Sequence, residues 1–149
     1  MVDSPDNAAD DLGPIDFIVV EFPDGVIGTE GFDELLALVD RGVIGIIDVE
    51  FIAKDSGGTV RKVGIAELPG DGNALSVWDG SSSGLLDQDD LAELGASLTS
   101  ESIAVVVVFE NLWILGLVDR WRHQGARLIA DGGLSAADVV AALDATEPA

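Results

Sequence analysis

The sequence predicts an α/β (α+β) sandwich, and three observations predict it. Two almost wholly apolar stretches, Ile15–Phe22 and Ile103–Phe109, are typical of strands that are covered on both faces. A stretch with helical spacing of apolar residues follows each of them. A motif of the first half then recurs in the second half, which indicates two strand–helix–strand units in one chain.

The repeated motif spans the end of each predicted helix and the segment that follows it. Leu36–Arg41 (LALVDR) matches Leu115–Arg120 (LGLVDR) at five of six positions, and each is followed by a Gly-x-x-x-Ile-x-Asp segment. The second copy inserts residues 121–124, about one helical turn. Two such units favour a ferredoxin-like fold, with the two apolar strands adjacent at the centre of the sheet. A flavodoxin-like sheet is the alternative, although it requires more regular strand–helix alternation.

The start of the chain predicts a tail and then the first helix of the domain. Residues 1–14 are acidic and rich in small residues and proline, so we expect a disordered acidic tail before a single domain at 15–145. A helix is predicted from Thr29 or Glu30 to Arg41, with Thr29 as its N-cap.

The next stretch predicts a strand and an extra hairpin strand. In Ile44–Lys54 the hydrophobic period changes to two, so Asp48 and Glu50 share the face opposite the apolar residues. Thr59–Leu68 follows a Gly-rich turn and is more polar, which predicts a strand near a sheet edge.

The second half predicts three helices and one further strand. A short helix is capped by Asp87, and a larger one runs from Asn111 to Gln124. Ala126–Asp131 then predicts a short strand, and Ser135 caps a C-terminal helix with Asp138 three residues on. The larger helix is expected to bury five apolar side chains: Trp113, Ile114, Leu117, Val118 and Trp121.

Composition restricts the classes of partner. The formal charge of −21 comes from 28 acidic residues against 7 lysines and arginines, which disfavours nucleic acid and anionic lipid. We interpret the acidity as an aid to solubility or an adaptation to habitat, with a basic partner as the alternative. A hydrophobic content of 48% is high for a soluble monomer, so we expect a homo-oligomer, most simply a dimer.

Several chemistries are disfavoured by what the sequence lacks. It has no cysteine and a single histidine, so thiolate sites, disulfides and histidine clusters are excluded. Its first residues do not form a signal peptide, and the longest apolar run, residues 103–118, is interrupted by Glu110 and Asn111. That run is shorter than the roughly 20 residues of a membrane span. We therefore expect a cytoplasmic protein without a membrane span or a cofactor.

Three carboxylates and two tryptophans are candidate site residues. Glu21 and Glu110 end the two apolar strands at equivalent positions of the repeat, so we expect them to converge at one sheet edge, where they could bind a divalent cation. Asp48 could join them, although a solvated sheet face is the favoured interpretation for Asp48. Trp78 lies in a polar loop, either buried as an anchor or offered to a partner. Trp121 lies in the inserted turn and is a candidate for core or subunit interface.

The succession IDFIVVEFP, DVEFIAKDSGG and VVVVFENLW resembles uncharacterised bacterial proteins known only as domains of unknown function, the groups numbered 1269 and 6325. The resemblance covers nearly the whole chain after the tail. It implies a small α/β domain with no established reaction and an occasional association with stress responses. Some such proteins are labelled membrane proteins, which the interrupted run at 103–118 does not favour here.

These observations predict a non-enzymatic, self-associating domain, stress-associated by resemblance. The alternative is a small-ligand or divalent-metal binding protein that uses Glu21, Glu110 and Asp48. An acid–base enzyme is disfavoured, because no nucleophile and base fall at a recognisable spacing.

Overall fold

The computed structural model describes residues 12–68 and 72–146, so most of the predicted tail lies outside the described residues. This part of the chain forms a mixed α+β domain with a four-stranded antiparallel sheet and four helices. In chain order the elements are β1 (Ile15–Phe22), α1 (Glu30–Asp40), β2 (Gly45–Lys54), β3 (Val60–Val63), α2 (Gln88–Gly95), β4 (Ser102–Glu110), α3 (Leu112–Arg122) and α4 (Ala136–Thr146). Two 3₁₀ segments, Ile65–Glu67 and Gly72–Trp78, lie between β3 and α2.

The strand order is β1-β4-β2-β3, and all neighbouring strands are antiparallel. β1 and β4 pair along their whole length, from Ile15 opposite Glu110 to Phe22 opposite Ile103. The predicted adjacency of the two apolar strands is therefore confirmed. Their predicted position at the centre is wrong for β1, because β4 and β2 are the inner strands and β1 is the outer one.

Each face of the sheet carries its own hydrophobic core. On the first face, Val105 and Val107 of β4 pack with Phe51, with Phe32 of α1 and with Trp78. Phe32 contacts both aromatic neighbours, with ring centroids 5.8 Å from Phe51 and 6.5 Å from Trp78. Alternate residues of a strand point to opposite faces, which is why a continuous run of valines in β4 supplies both cores.

On the second face, α2 supplies the cover. Leu91 of α2 packs with Ile52 of β2 and with Ala104 and Val106 of β4. The helix begins as predicted, because the Asp87 carboxylate accepts a hydrogen bond from the Asp90 amide at 2.8 Å. Gly95 in its last turn lies against Val60 of β3, where a side chain would clash with that valine.

The hairpin between β2 and β3 forms where the sequence predicts it. Asp55 Oδ1 accepts hydrogen bonds from the amides of Gly57 at 2.9 Å and Thr59 at 2.8 Å, which closes the turn. β3 lies at a sheet edge, as predicted, but it ends at Val63 and pairs only with residues 51–54 of β2. The remainder of the predicted strand is a 3₁₀ turn, Ile65–Glu67, so β3 leaves the first half of β2 without a strand on that side.

The C-terminal part departs most from the prediction. Residues 126–131 form no strand, although they lie within the described part of the chain. A strand is defined by pairing with a neighbour, and residues 126–131 pair with none of the four strands of the described sheet. α4 nevertheless begins as predicted, since the Asp138 amide donates to Ser135 Oγ at 3.1 Å.

The expected burial of both tryptophans on α3 is also wrong. Trp113 and Trp121 are each more than half exposed, whereas Val118 is the buried residue of the helix. α3 is attached at the end of the sheet, where the Trp113 amide donates to the Val43 carbonyl at 3.1 Å. In that position one side of the helix meets the domain, and the side with the tryptophans faces outward.

Candidate functional site

Glu21 and Glu110 do not converge. β1 and β4 are antiparallel, so the strands end in opposite directions: Glu21 lies opposite Ala104, near the start of β4, and Glu110 lies opposite Ile15, at the start of β1. The predicted convergence at one sheet edge is therefore wrong. The sequence predicted convergence because the two glutamates end their strands at equivalent positions of the repeat, and antiparallel pairing places these equivalent ends far apart.

Each of the two glutamates accepts hydrogen bonds that hold a neighbouring segment of the chain against the sheet. Glu21 Oε2 accepts hydrogen bonds from the Thr99 amide at 2.7 Å and from Thr99 Oγ1 at 3.2 Å. The bond from the Thr99 amide, more than any other contact, lowers the pKa of the Glu21 carboxyl below its ordinary value of 4.5. Glu110 Oε2 accepts from the Gly13 amide at 2.7 Å and so fixes the approach to β1.

Asp48 and Glu50 of β2 are buried, at 0% and 3% exposure, so the expectation of a solvated sheet face is wrong. Asp48 Oδ1 accepts a hydrogen bond from the Ser83 amide at 2.6 Å. Glu50 Oε1 accepts from Ser82 Oγ at 2.5 Å and lies 3.3 Å from Lys62 Nζ of β3. Burial in a poorly polarisable environment raises the pKa of the Asp48 carboxyl above its ordinary value of 3.8.

Residues 81–83 bury this carboxyl pair, and we call them the serine segment. The Val49 amide donates to the Ser81 carbonyl at 3.1 Å, so the serine segment lies along the edge of β2 that β3 does not reach. Ser82 Oγ and the Ser83 amide donate to the two carboxyls, so side chains of β2 hold the same segment in addition to its backbone.

A cavity of about 330 Å³ opens beside the carboxyl pair. Its lining includes Glu50, Lys62, Trp78, Asp79 and Ser82. These groups combine two carboxylates, an ammonium and a hydroxyl with an aromatic wall, an arrangement that suits polar contacts. Among the described residues there is no cluster of three or more histidine, cysteine, aspartate or glutamate side chains that could hold a metal ion.

Trp78 and Trp121 lie in opposite environments. Trp78 is 5% exposed and belongs to the first core, which makes it an anchor for the loop that carries it. Trp121 is 52% exposed, and it forms one side of α3 together with Trp113 and Leu117, at spacings of four residues. Exposed tryptophans in such a row are typical of contact surfaces.

An uncovered apolar surface lies along β1. Four of its side chains, Ile15, Phe17, Ile18 and Val20, are between 42% and 66% exposed. Ile18 and Val20 point to the first face, and Ile15 and Phe17 point to the second, so each pair lines an open groove. The groove on the first face, between β1 and α1, measures about 650 Å³, and the groove on the second face, between β1 and α2, about 310 Å³.

The model of DUF6325, a family of unknown function, matches residues 11–147. The chain belongs to the DUF6325 family. The resemblance to the 6325 group is thereby confirmed, whereas the resemblance to the 1269 group stays a prediction. No curated protein and no solved structure matches this DUF6325 chain.

No described helix of this DUF6325 protein is long and apolar enough to cross a membrane. The prediction of a chain without a spanning segment agrees with that finding.

Sequence reasoning missed two features of this DUF6325 chain. The partners of Asp48 and Glu50, namely Ser82, Ser83 and Lys62, were not recognised, because acidic residues that alternate with Val49 and Phe51 are typical of a strand with one solvated face. The outer position of β1 was missed as well, because its composition is that of an inner strand.

Proposed function

We propose that this DUF6325 protein is a non-enzymatic, self-associating domain whose β1 strand meets β1 of a second copy. The observation that supports the proposal best is the exposure of β1: a strand with the composition of a sheet interior is the outer strand of the described sheet, with apolar side chains exposed on both faces. Edge strands of monomers usually carry charges or prolines that prevent pairing. The middle of β1, Phe17–Val20, carries neither.

A second copy is the partner that complements such an edge most simply. Two antiparallel β1 strands related by a two-fold axis would join two four-stranded sheets into one sheet of eight. The backbone groups on the outer edge of β1 would then gain partners. The two grooves flanking β1 would gain apolar cover from the same contact, at roughly 25 cal/mol for each Å² of apolar surface that is buried.

The charge of the chain opposes this association and provides a diagnostic. Each copy carries −21, so two copies repel each other at low ionic strength. Salt screens that repulsion and strengthens apolar contacts in general. The affinity of the dimer should therefore rise with salt, whereas an interface built on ion pairs would weaken.

Light scattering coupled to size-exclusion chromatography tests the proposal. We expect the full chain to shift from monomer to dimer over micromolar concentrations, with the midpoint at lower concentration when the salt concentration is raised. Ile18→Asp, at an exposed position of β1, should abolish the shift and keep the circular dichroism spectrum of the folded chain. A strict monomer at all concentrations and salt levels would refute self-association.

Binding of a small ligand or divalent cation is the second candidate function. Glu21 and Glu110 lie at opposite ends of the β1–β4 pair, so a shared site would have to rely on Asp48 with Glu50 instead. What favours this candidate is that Glu50 lines a cavity next to Asp48. Calorimetry with Ca²⁺ and Mg²⁺ on the wild type and on Asp48→Asn tests it. Absence of heat in the wild type would remove it.

Three finer assignments remain part of the proposal. The element order β1-α1-β2-β3-α2-β4 is the β-α-β-β-α-β order of ferredoxin-like domains, which supports that assignment, whereas the packing of α1 and α2 on opposite faces departs from a two-layer sandwich. A cytoplasmic location rests on sequence composition. A role in stress responses rests on resemblance.

A further inference from the structure

Asp48 and Glu50 form a pair of buried carboxyls that is incompletely bonded. They lie two residues apart on β2 and point to the same face of the sheet. One oxygen of each is bonded to the serine segment, residues 81–83. The other two oxygens, Asp48 Oδ2 and Glu50 Oε2, have no hydrogen-bond partner among the described residues, and each exposes less than 1 Å² to solvent.

The surrounding charges do not balance two ionised carboxylates. Lys62 of β3 is the cation in contact, 3.3 Å from Glu50 Oε1. Other charged groups near the pair are acidic: Asp79 lines the adjacent cavity, and α2 brings Asp90 and Glu93 beside Val106 and Val108, the β4 residues opposite Glu50 and Asp48. Two buried negative charges with one partly exposed ammonium leave an uncompensated charge, which folded proteins avoid.

We infer that Asp48 and Glu50 share a single proton, and that this proton fastens the serine segment to the edge of β2. The two carboxyls are neighbours on one face of β2; burial is the main cause of the raised pKa of Asp48, and the adjacent Glu50 carboxyl adds to it. A proton on Asp48 Oδ2 that is donated to Glu50 Oε2 would give each of the two unbonded oxygens a partner. It removes one of the two negative charges and leaves Asp48 Oδ1 and Glu50 Oε1 free to accept from Ser83 and Ser82.

The consequence is a pH-sensitive cover for the second sheet edge. β3 pairs with residues 51–54 of β2, and the serine segment covers the edge at Val49. Loss of the shared proton places two like charges side by side beneath this segment, which favours its release. The released segment would uncover backbone groups of β2 and so create a second free edge, independent of β1 and of self-association.

Carbon-13 NMR titration of the carboxyl groups in the wild-type chain tests the shared proton directly. We expect the two carboxyls to ionise in separate steps, with one proton retained by the pair well above pH 3.8, the ordinary pKa of an aspartate. Ionisation of both carboxyls in the acid range, without a retained proton, would overturn the inference.

Amide hydrogen exchange tests the link to the serine segment. In the wild type, the protection factor of the Val49 amide, corrected for intrinsic exchange, should fall at least tenfold as the retained proton is lost, while that of Val106 in the centre of β4 should not follow it. Asp48→Asn should remove this response, because an asparagine amide can donate to Glu50 at every pH and its oxygen can still accept from Ser83.

Glu21→Gln is the matched control, since it alters another hydrogen-bonded carboxylate outside the pair and should leave the Val49 response unchanged. An identical Val49 response in the wild type and in Asp48→Asn would overturn the inference. A Val49 protection factor that depends on added Ca²⁺ or Mg²⁺ at constant pH would overturn it too, because a cation would then hold the pair. The wild-type titration decides the question even if Asp48→Asn does not fold.

Discussion

β1 and β4 are neighbouring strands with nearly the same composition and opposite environments. IDFIVVEF and SIAVVVVFE are both almost continuously apolar, and they pair residue by residue. In β4 the valines are buried on both faces under α1 and α2. In β1 the corresponding side chains are largely exposed, because an open groove lies between β1 and each of the two helices.

The apolar composition of a strand therefore indicates that its side chains are buried, but it does not indicate which element or molecule covers them. For β4 the cover comes from the same chain. For β1 the described chain provides β4 on one side, and an open groove lies on each face. The composition of β1 is nevertheless that of a buried strand, which is why we propose that a second molecule covers it.

The largest effect is expected from a charge placed at matched positions of the two strands. Val107 and Ile18 lie directly opposite each other on the same face. Val107→Asp should destabilise the fold by more than about 4 kcal/mol, because it buries an unpaired charge. Ile18→Asp should cost at most about 1 kcal/mol in the monomer. Urea unfolding at low protein concentration measures both, and equal losses would contradict the comparison.

A second pair of substitutions contrasts two tryptophans. Trp78→Ala should lower the free energy of unfolding by about 3 to 5 kcal/mol, since it empties part of the first core. Trp121→Ala should change it by less than about 0.5 kcal/mol, because this side chain lies at the surface. Thermal unfolding followed by circular dichroism distinguishes the two. If Trp121→Ala were as damaging as Trp78→Ala, α3 would have to be packed differently.

The pH dependence of stability should differ in sign for Asp48 and Glu21. The folded-state pKa of Asp48 is raised, so its contribution is fully present below the ordinary value of 3.8 and is lost as pH rises through the folded-state pKa. The pKa of Glu21 is lowered, so its contribution is present above 4.5 and is lost as pH falls through the folded-state pKa. Urea unfolding of Asp48→Asn and Glu21→Gln across pH, each relative to the wild type, should show these opposite slopes.

The smallest effect on the isolated domain is expected from α4. Val140 is exposed, so Val140→Asp should change the free energy of unfolding of the monomer by less than about 0.5 kcal/mol. Ser135→Ala should loosen α4 itself, because it removes the hydroxyl that caps the Asp138 amide. The helical signal in circular dichroism should fall slightly in the second variant, with the unfolding midpoint of the domain unchanged. A large shift of that midpoint would show that α4 is part of the core.

Local elements were predictable from local signals. The bounds of β1, α1, β2 and β4 follow from the hydrophobic period, and the starts of α2 and α4 follow from capping residues within one turn. The predicted strand at 126–131 is wrong because a strand also requires a paired neighbour, and these residues pair with none of the four strands of the described sheet. Helical capping is local, whereas strand formation is not.

The candidate site was predictable only in part, for the same reason. Asp48 was identified, but the partners that bury the carboxyl pair, Ser82 and Ser83, lie 32 and 35 residues away from Glu50 and Asp48 respectively. Glu21 and Glu110 were expected to converge because the repeat suggested equivalent ends. The antiparallel order that separates them is set by strand pairing across most of the chain.

The most direct test of the central claim is hydrogen exchange at the amides of β1 that are not bonded to β4. If β1 pairs with a second copy, these amides should gain protection as the wild-type concentration rises through the micromolar range. In Ile18→Asp they should remain unprotected. Outward β1 amides that exchange freely at every concentration, while those facing β4 stay protected, would show that the edge is free and would contradict the account.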